Sequence, residues 1–297
     1  MVISGAQMSK ANKNKFTHLK IHTQYSICEG AVKIVDLQDF CKKNKIRAIG
    51  LSDTNNLCGA LEFAESISKA GTQPIIGGQI NFKFKDHIGI LPIVANNFEG
   101  YKSVIGLSSK SYLENKTTDE PHCLIQELLK IKSGVTVLSG TFDGLVGNLF
   151  SKNLLTEIDD VLKLIKNVFG NKFYLEVQRH NNAGEKLFEE FLLKKSNEFE
   201  IPLIATHEVF YLDKDMHEAH DALICIGEKT YVNEKKRKRY SDEHYLKSSE
   251  QMIEIFSDLP EALENNFNFP SRCSYKPKSS LPVLPNIKTN KDIDIDQ

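Results

Sequence analysis

From Phe16 to Thr206 short apolar runs alternate with amphipathic helical stretches, and this alternation most limits the folds open to the chain. Thr17–His22, Arg47–Asp53, Pro74–Phe84, Ile88–Ala95, Gly134–Ser139, Phe173–Val177 and Ile201–Thr206 read as strands. Between them Val32–Lys43, Asn56–Ala70, Phe98–Leu113, His122–Ile131, Leu154–Phe169 and Ala183–Phe199 place apolar residues at helical spacing. About seven strands alternating with helices predict an α/β fold with parallel packing. The length suits a (β/α) barrel, with an open doubly wound sheet as the alternative that periodicity does not separate. No GxGxxG or phosphate-binding loop is present, and Gly77-Gly78 lies inside a strand segment.

The pattern changes after Thr206. Asp215–Gly227 is helical, Ser248 with Gln251 forms a capping box, and Pro260 between Asp258 and Glu261 marks another helix start. Residues 1–15 have no periodicity and read as a tail. From Pro270 the chain is rich in Pro, Ser and Lys and reads as a linker that does not pack as a core element.

Composition removes several function classes. Thirty-eight Lys and Arg against 39 Asp and Glu give a net charge of −1, so a large nucleic-acid-coating surface is not expected. No apolar run reaches the ~20 residues of a membrane span, and no signal-peptide core opens the chain. Six scattered cysteines without CxxC spacing read as reduced thiols of a cytoplasmic protein. No cysteine or serine is spaced to a base, and Cys28 and Cys58 read as small buried residues.

In a β/α barrel the chemistry sits at the C-terminal ends of strands. His22, Asp53, Gln79, Thr141, Glu176, His207 and Glu208 fall there. Such a ring suggests a metal site, although barrel mouths also collect polar residues for solvation alone. His217 and His220 are three apart rather than the four of HExxH, so they read as an ordinary surface pair. Lys235–Arg239 (KKRKR) is a basic run whose field is reduced by Glu234, Asp242 and Glu243; it reads as a solvated loop, with contact to DNA phosphates as the alternative.

Two blocks carry a family resemblance: FTHLKIHTQYSICEGAVKI at Phe16–Ile34 and AIGLSDTNNLCGALEFAESISKAGTQPIIGGQINF at Ala48–Phe82. VANNFEGYKSVIGLSSK, VLSGTFDGLVGN, FYLEVQR, IPLIATHEVFYLDKDMHEAHDAL and KSSEQMIEIFSDLPEALENN continue it in order. The sequence resembles the N-terminal PHP (polymerase and histidinol phosphatase) domain of bacterial DNA polymerase III α subunits, from Phe16 to about Leu284. The resemblance implies a distorted seven-stranded β/α barrel spanning 16–269 with a helical extension, then a linker (270–297) toward a polymerase domain. It implies as partners the rest of the α subunit, the proofreading exonuclease subunit and, through the full-length protein, template-primer DNA. Magnesium is implied for the polymerase domain and no cofactor for this segment.

Some PHP domains hold a multi-metal phosphoesterase site, and the resemblance shows what has become of it here. The opening His-x-His is Lys20 and His22. The next Asp is Glu29, Asp-His is Asp53-Thr54, and the following Glu is Gln79. A strand His aligns with Gly89, with His87 two residues earlier. A Cys is Thr141, and the closing Asp-x-His is Glu208-x-Phe210. Only His22 survives outright. The expectation is a metal-free, structural and subunit-docking domain, with Lys20 paired to Glu29, Asp53 or Glu208. The competing readings are a metal-dependent phosphoesterase and a free-standing adaptor.

Overall fold

Residues 15–116, 119–131 and 133–282 are described by a computed structural model. The expected tail, apart from Lys15, and the chain beyond 282 lie outside these residues.

The elements follow the hydrophobic pattern closely. They begin β1 (Lys20–Ile21), α1 (Ile34–Asn44), β2 (Ala48–Thr54), α2 (Ala60–Lys69), β3 (Gln73–Phe84) and β4 (His87–Ala95). Next come α3 (Phe98–Leu113), β5 (Cys123–Leu124), α4 (Ile125–Leu129), β6 (Val135–Leu138), α5 (Leu145–Ser151) and α6 (Leu155–Phe169). The series ends with β7 (Phe173–Val177), α7 (Glu185–Phe199), β8 (Leu203–Ala205), β9 (Glu208–Val209), α8 (His217–Gly227), α9 (Ser249–Ile255) and α10 (Pro260–Asn268). The expected helix His122–Ile131 is shortened because Cys123 and Leu124 pair with β3 instead. The short helix α5 was not expected.

One sheet runs in the order β8-β7-β6-β4-β3-β2-β1-β9, with β5 on the outer part of β3. The all-parallel expectation fails at β4, which is antiparallel to both β3 and β6. Only Lys85 and Asp86 join β3 to β4, and a link that short permits a hairpin but no crossover helix. The sheet curls into a barrel because β8 and β9, at its two ends, are separated in sequence only by Thr206 and His207. Counting β8 and β9 as one broken strand and β5 as a stub leaves the expected seven. The doubly wound alternative is excluded by this curl.

Inside the N-terminal end of the barrel, Leu19, Ile75, Val94, Leu138, Tyr174 and Ile204 pack with Phe269 and Cys273. Helices cover the outside, α1 and α2 on one flank and α3 to α7 on the other. Filling that end with apolar side chains leaves the opposite end for polar groups. No helix among the described residues is long and apolar enough to cross a membrane.

The stretch after Pro270 departs from the linker expectation. It is irregular, yet Cys273 and Pro277 are buried. Gln73 Nε2 donates to the carbonyls of Pro270 (3.0 Å) and Cys273 (2.8 Å), and Ser274 N donates to Asn96 O (2.8 Å). Side-chain and strand-end groups thus satisfy a backbone that makes no regular element of its own.

The barrel seam has its own device. The parallel register of β1 with β9 would place Thr17 beside Ala205, but no ladder forms there. The buried Asn266 of α10 enters the gap. Its Oδ1 accepts from Thr17 N (2.7 Å), and its Nδ2 donates to Thr17 O (2.8 Å) and Ala205 O (2.9 Å). Asn266→Ala leaves three buried backbone groups unpaired, and we expect a loss of roughly 2–4 kcal/mol, or about 4–7 °C in Tm for a domain of this size. A thermal melt within about 2 °C of wild type would contradict this role for the seam, given the same scaling.

Candidate functional site

The kink between β8 and β9 delivers Glu208 to the polar end of the barrel, beside the C-terminal ends of β1, β3 and β7. A carboxylate has about four lone-pair sites, and here four donors meet them. Oε1 accepts from His22 Nε2 (2.5 Å) and from the Gln79 amide. Oε2 faces Lys20 Nζ (2.7 Å) and, more distantly, Gln178 Nε2 (3.4 Å).

Lys20 is only 1% exposed. Its ammonium lies between Glu208 and Glu176 Oε1, the latter at 3.2 Å. Burial alone would lower the Lys20 pKa, but the charges of Glu176 and Glu208 outweigh it and raise the pKa above the ordinary lysine value. Burial would likewise raise Glu208. Lys20 and the bonded His22 reverse that effect and hold the carboxyl well below the usual range. His22 is raised because Glu208, and then Glu29 and Asp53, overcome a larger individual burial effect. The expected pairing of Lys20 with Glu208 is therefore present. Its second partner is Glu176 rather than Glu29 or Asp53.

Asp53 turns into the loop after β1. Its Oδ1 accepts from Thr23 N (2.7 Å) and Ser26 Oγ (2.8 Å), and its Oδ2 from Thr23 Oγ1 (2.8 Å). Glu29 accepts from the Thr54 hydroxyl and from Tyr240 OH (3.2 Å). Phe210 stacks on His22, with ring centroids 4.4 Å apart.

A cleft of about 470 Å³ opens above this floor. Gln79, Gly89, Thr141, Glu29, Glu208 and Phe210 line it, while Lys20 and His22 lie beneath. Gly89 could carry no side chain here, since a Cβ would stand 2.4 Å from Leu145 Cα at the start of α5. His87 is outside the cleft, its Nδ1 3.5 Å from Lys152 Nζ.

Several expectations need correction. His220 is buried, with Nε2 2.8 Å from Glu29 O, so His217 and His220 are not a surface pair. Cys58 is exposed and Cys28 half-buried, because both lie in loops rather than in the core. Glu176 stood out only by its strand-end position. Gln178 and Tyr240 gave no signal, and Lys238 stood out only as one residue of the basic run, because the loop that carries Tyr240 and Lys238 returns to the mouth from afar. His207, His180 and His244 form a stacked series with centroid separations of 4.6 and 4.1 Å, and His18 meets His207 edge-on at 5.8 Å.

The PHP domain sequence model matches residues 18–180, more than half of the chain. This chain belongs to the PHP family. It is 34% identical over 295 residues to the DNA polymerase III subunit alpha of Caulobacter vibrioides (strain NA1000 / CB15N), covering 95% of this chain and 25% of that protein. Against the same subunit of Rickettsia felis (strain ATCC VR-1525 / URRWXCal2) the identity is 35% over 284 residues, with 94% and 23% covered. The chain thus spans about a quarter of the length of the curated relatives it matches. An amidohydrolase structure from Chromobacterium violaceum aligns with a TM-score of 0.44 at 10% identity, covering 65% of this chain and 87% of that one.

The residues of this PHP domain do not fit the multi-metal cluster found in some members of the family. Among the described residues no three His, Cys, Asp or Glu side chains are grouped to hold a metal ion. Each surviving donor is also engaged: His22 with Glu208, Glu208 with its four donors, and Asp53 with Thr23 and Ser26. A metal would have to displace Lys20 and then compete for lone pairs already used.

Two outcomes follow from this geometry. Lys20→Met strands two buried carboxylates and should destabilise the fold by about 3–5 kcal/mol, whereas adding Glu208→Gln should recover a substantial part. Denaturant unfolding of the single and double variants checks this, and simple additivity would contradict the pairing.

The second outcome concerns pH. Burial is the largest cause holding His18 (about 4), His244 (about 2), His207 and His220 below the ordinary histidine value. They stay neutral in the fold but take up protons when unfolded below about pH 6.5, so stability falls as pH drops from there. His22, raised in the fold, adds stability that is already complete below that pH and is lost only as pH rises through its folded pKa. Glu208 loses its contribution only below about pH 4.5. Melting temperature should therefore fall steadily between about pH 6.5 and 4.5 from histidine uptake alone, and a flat profile there would contradict it.

Proposed function

We propose that this chain is the PHP domain of a replicative DNA polymerase III α subunit in which a buried ion-pair network has replaced the metal centre. Its work is mechanical. It braces the polymerase part of the subunit and presents a docking surface to the proofreading exonuclease subunit in the cytoplasm. Nucleotidyl transfer, with its magnesium and its template-primer DNA, belongs to the remainder of the α subunit.

One observation carries the metal-free reading: the Lys20 ammonium is buried at the position of a family metal ligand and is neutralised by Glu208 and Glu176. A fixed cation here does electrostatically what a metal would do for these carboxylates. It cannot lower the pKa of a bound water or polarise a phosphoryl oxygen as a Lewis acid. The competing phosphoesterase reading needs activated water and open coordination positions. The arrangement around Glu208 favours neither.

The test is a metal titration of the purified chain. A ligand at a hundred times its Kd stabilises a fold by about 2.7 kcal/mol. We expect manganese and zinc at modest concentration to leave Tm unchanged, chelator to leave it unchanged, and a generic phosphate ester to remain intact. A chelator-reversible rise in Tm together with ester hydrolysis would establish the phosphoesterase instead. Primer extension by the isolated chain above a mock preparation would overturn the assignment of polymerisation to the remainder of the subunit.

A further inference from the structure

Between Lys229 and Arg239 the chain has six cations and a single carboxylate, Glu234. In sequence the nearby Asp242 and Glu243 weaken this run. In the structure they do not, because Asp242 pairs with Lys214 (3.0 Å), and Glu243 with Lys214 (2.9 Å) and Lys247 (2.7 Å). Their charge is spent on the far side of the loop.

Arg237 is the organiser of the segment. Its guanidinium makes a two-pronged pair with Asp221 of α8 (2.6 Å each), and its Nε and Nη2 donate to Val232 O at 3.2 and 3.0 Å. This pins the ends of the turn together and leaves its middle facing water. Lys235 and Lys236 are exposed and make no ion pair among the described residues. Lys238 and Arg239 keep 48% and 58% of their side chains exposed at the cleft mouth, each with a single carboxylate 4.0 and 3.7 Å away. Tyr231, in the same turn, is 76% exposed.

An exposed aromatic ring beside a fixed group of uncompensated cations is the chemistry that binds single-stranded nucleic acid. The cations neutralise phosphates, and the ring stacks on a base freed from pairing. We propose that the turn from Lys229 to Arg239 is a binding strip for single-stranded nucleic acid, with Tyr231 as the stacking platform and Lys235, Lys236 and Arg239 as phosphate contacts. The ring favours this occupant over an acidic peptide, which offers charge without a base face. The strip is a local patch, consistent with the near-neutral charge of the whole chain. It goes beyond the bracing role proposed above and does not require it.

Fluorescence anisotropy of a labelled (dT)15 strand with the 297-residue chain tests the proposal. If Lys235, Lys236 and Arg239 each neutralise one phosphate, affinity should fall about 18-fold between about 50 and 200 mM salt. Lys235→Ala with Lys236→Ala should make the log–log salt slope shallower by about 1.4. Tyr231→Leu should weaken binding roughly tenfold while leaving the slope unchanged. All three side chains are exposed, so the melting temperatures of these variants should match wild type, and a matched Tm isolates the binding effect. Duplex DNA or polyglutamate competing as well as unlabelled (dT)15 would overturn the proposal in favour of unspecific polyanion attraction. No anisotropy change at about 50 mM salt, where phosphate contacts are strong, would also overturn it. So would a Tyr231→Leu variant that binds like wild type, or binding to phosphatidylserine vesicles without binding to (dT)15.

Discussion

Taking a carboxylate out of water costs several kcal/mol unless donors replace the lost hydration, and Glu208 is placed where that demand cannot be avoided. The chain must bend between β8 and β9 to join the two edges of the sheet, and the bend carries Glu208 into the barrel mouth. Lys20, His22, Gln79 and Gln178 come from β1, β3 and the end of β7 to meet it. A single side chain thereby ties together strands that are far apart in sequence. Where a metal would collect carboxylates and imidazoles around a cation, here a carboxylate collects cations and amides around itself. Loss of a charged member of such a cluster leaves a buried charge without its partner.

The two ends of the barrel solve opposite problems. At the N-terminal end, apolar strand residues and Phe269 fill the interior, with the Tyr174 hydroxyl as the polar group among them. Along the seam, where the β8 edge meets the segment before β1, the backbone ladder is open and the Asn266 amide stands in for it. On the polar side of that seam the His207, His180 and His244 rings stack in series, with His18 edge-on to His207. Burial keeps His207 and His244, the rings on either face of His180, neutral, so the stack is not opposed by charge repulsion. The price is sensitivity to acid, because the same rings take up protons as soon as the chain unfolds.

Strand runs were legible because each is a continuous apolar segment bounded by polar residues. The seven-strand barrel could therefore be read from residues 16–210. What stayed hidden depends on contacts distant in sequence. The antiparallel direction of β4 follows from the two-residue Lys85-Asp86 link, whose shortness shows only once both strand ends are fixed. Glu176 stood at a strand end among several polar residues, and nothing local distinguished it as the second partner of Lys20. Asp53 has the appearance of a cleft acid in sequence, yet Thr23 and Ser26 take it into the loop after β1. Asp242 and Glu243 likewise seemed to neutralise the basic run until their true partners, Lys214 and Lys247, were located.

The same contacts set what a metal-binding arrangement at this mouth would require. Replacing Lys20 with His would restore one imidazole but remove the cation that Glu208 and Glu176 require. A metal entering at that point would find both Glu208 oxygens already accepting from His22, Gln79 and Gln178. Phe210 covers one face of His22, so a second imidazole is also missing on that side. Gly89 is closed by sterics rather than by chemistry, because the backbone of Leu145 occupies the space a side chain there would need. Opening it means moving the start of α5, whose Leu145, Val146 and Leu149 are buried in the main core. A family-like set of metal ligands at this mouth would need several coordinated substitutions and a backbone shift, and a step that removed Lys20 first would leave Glu208 and Glu176 without their cation.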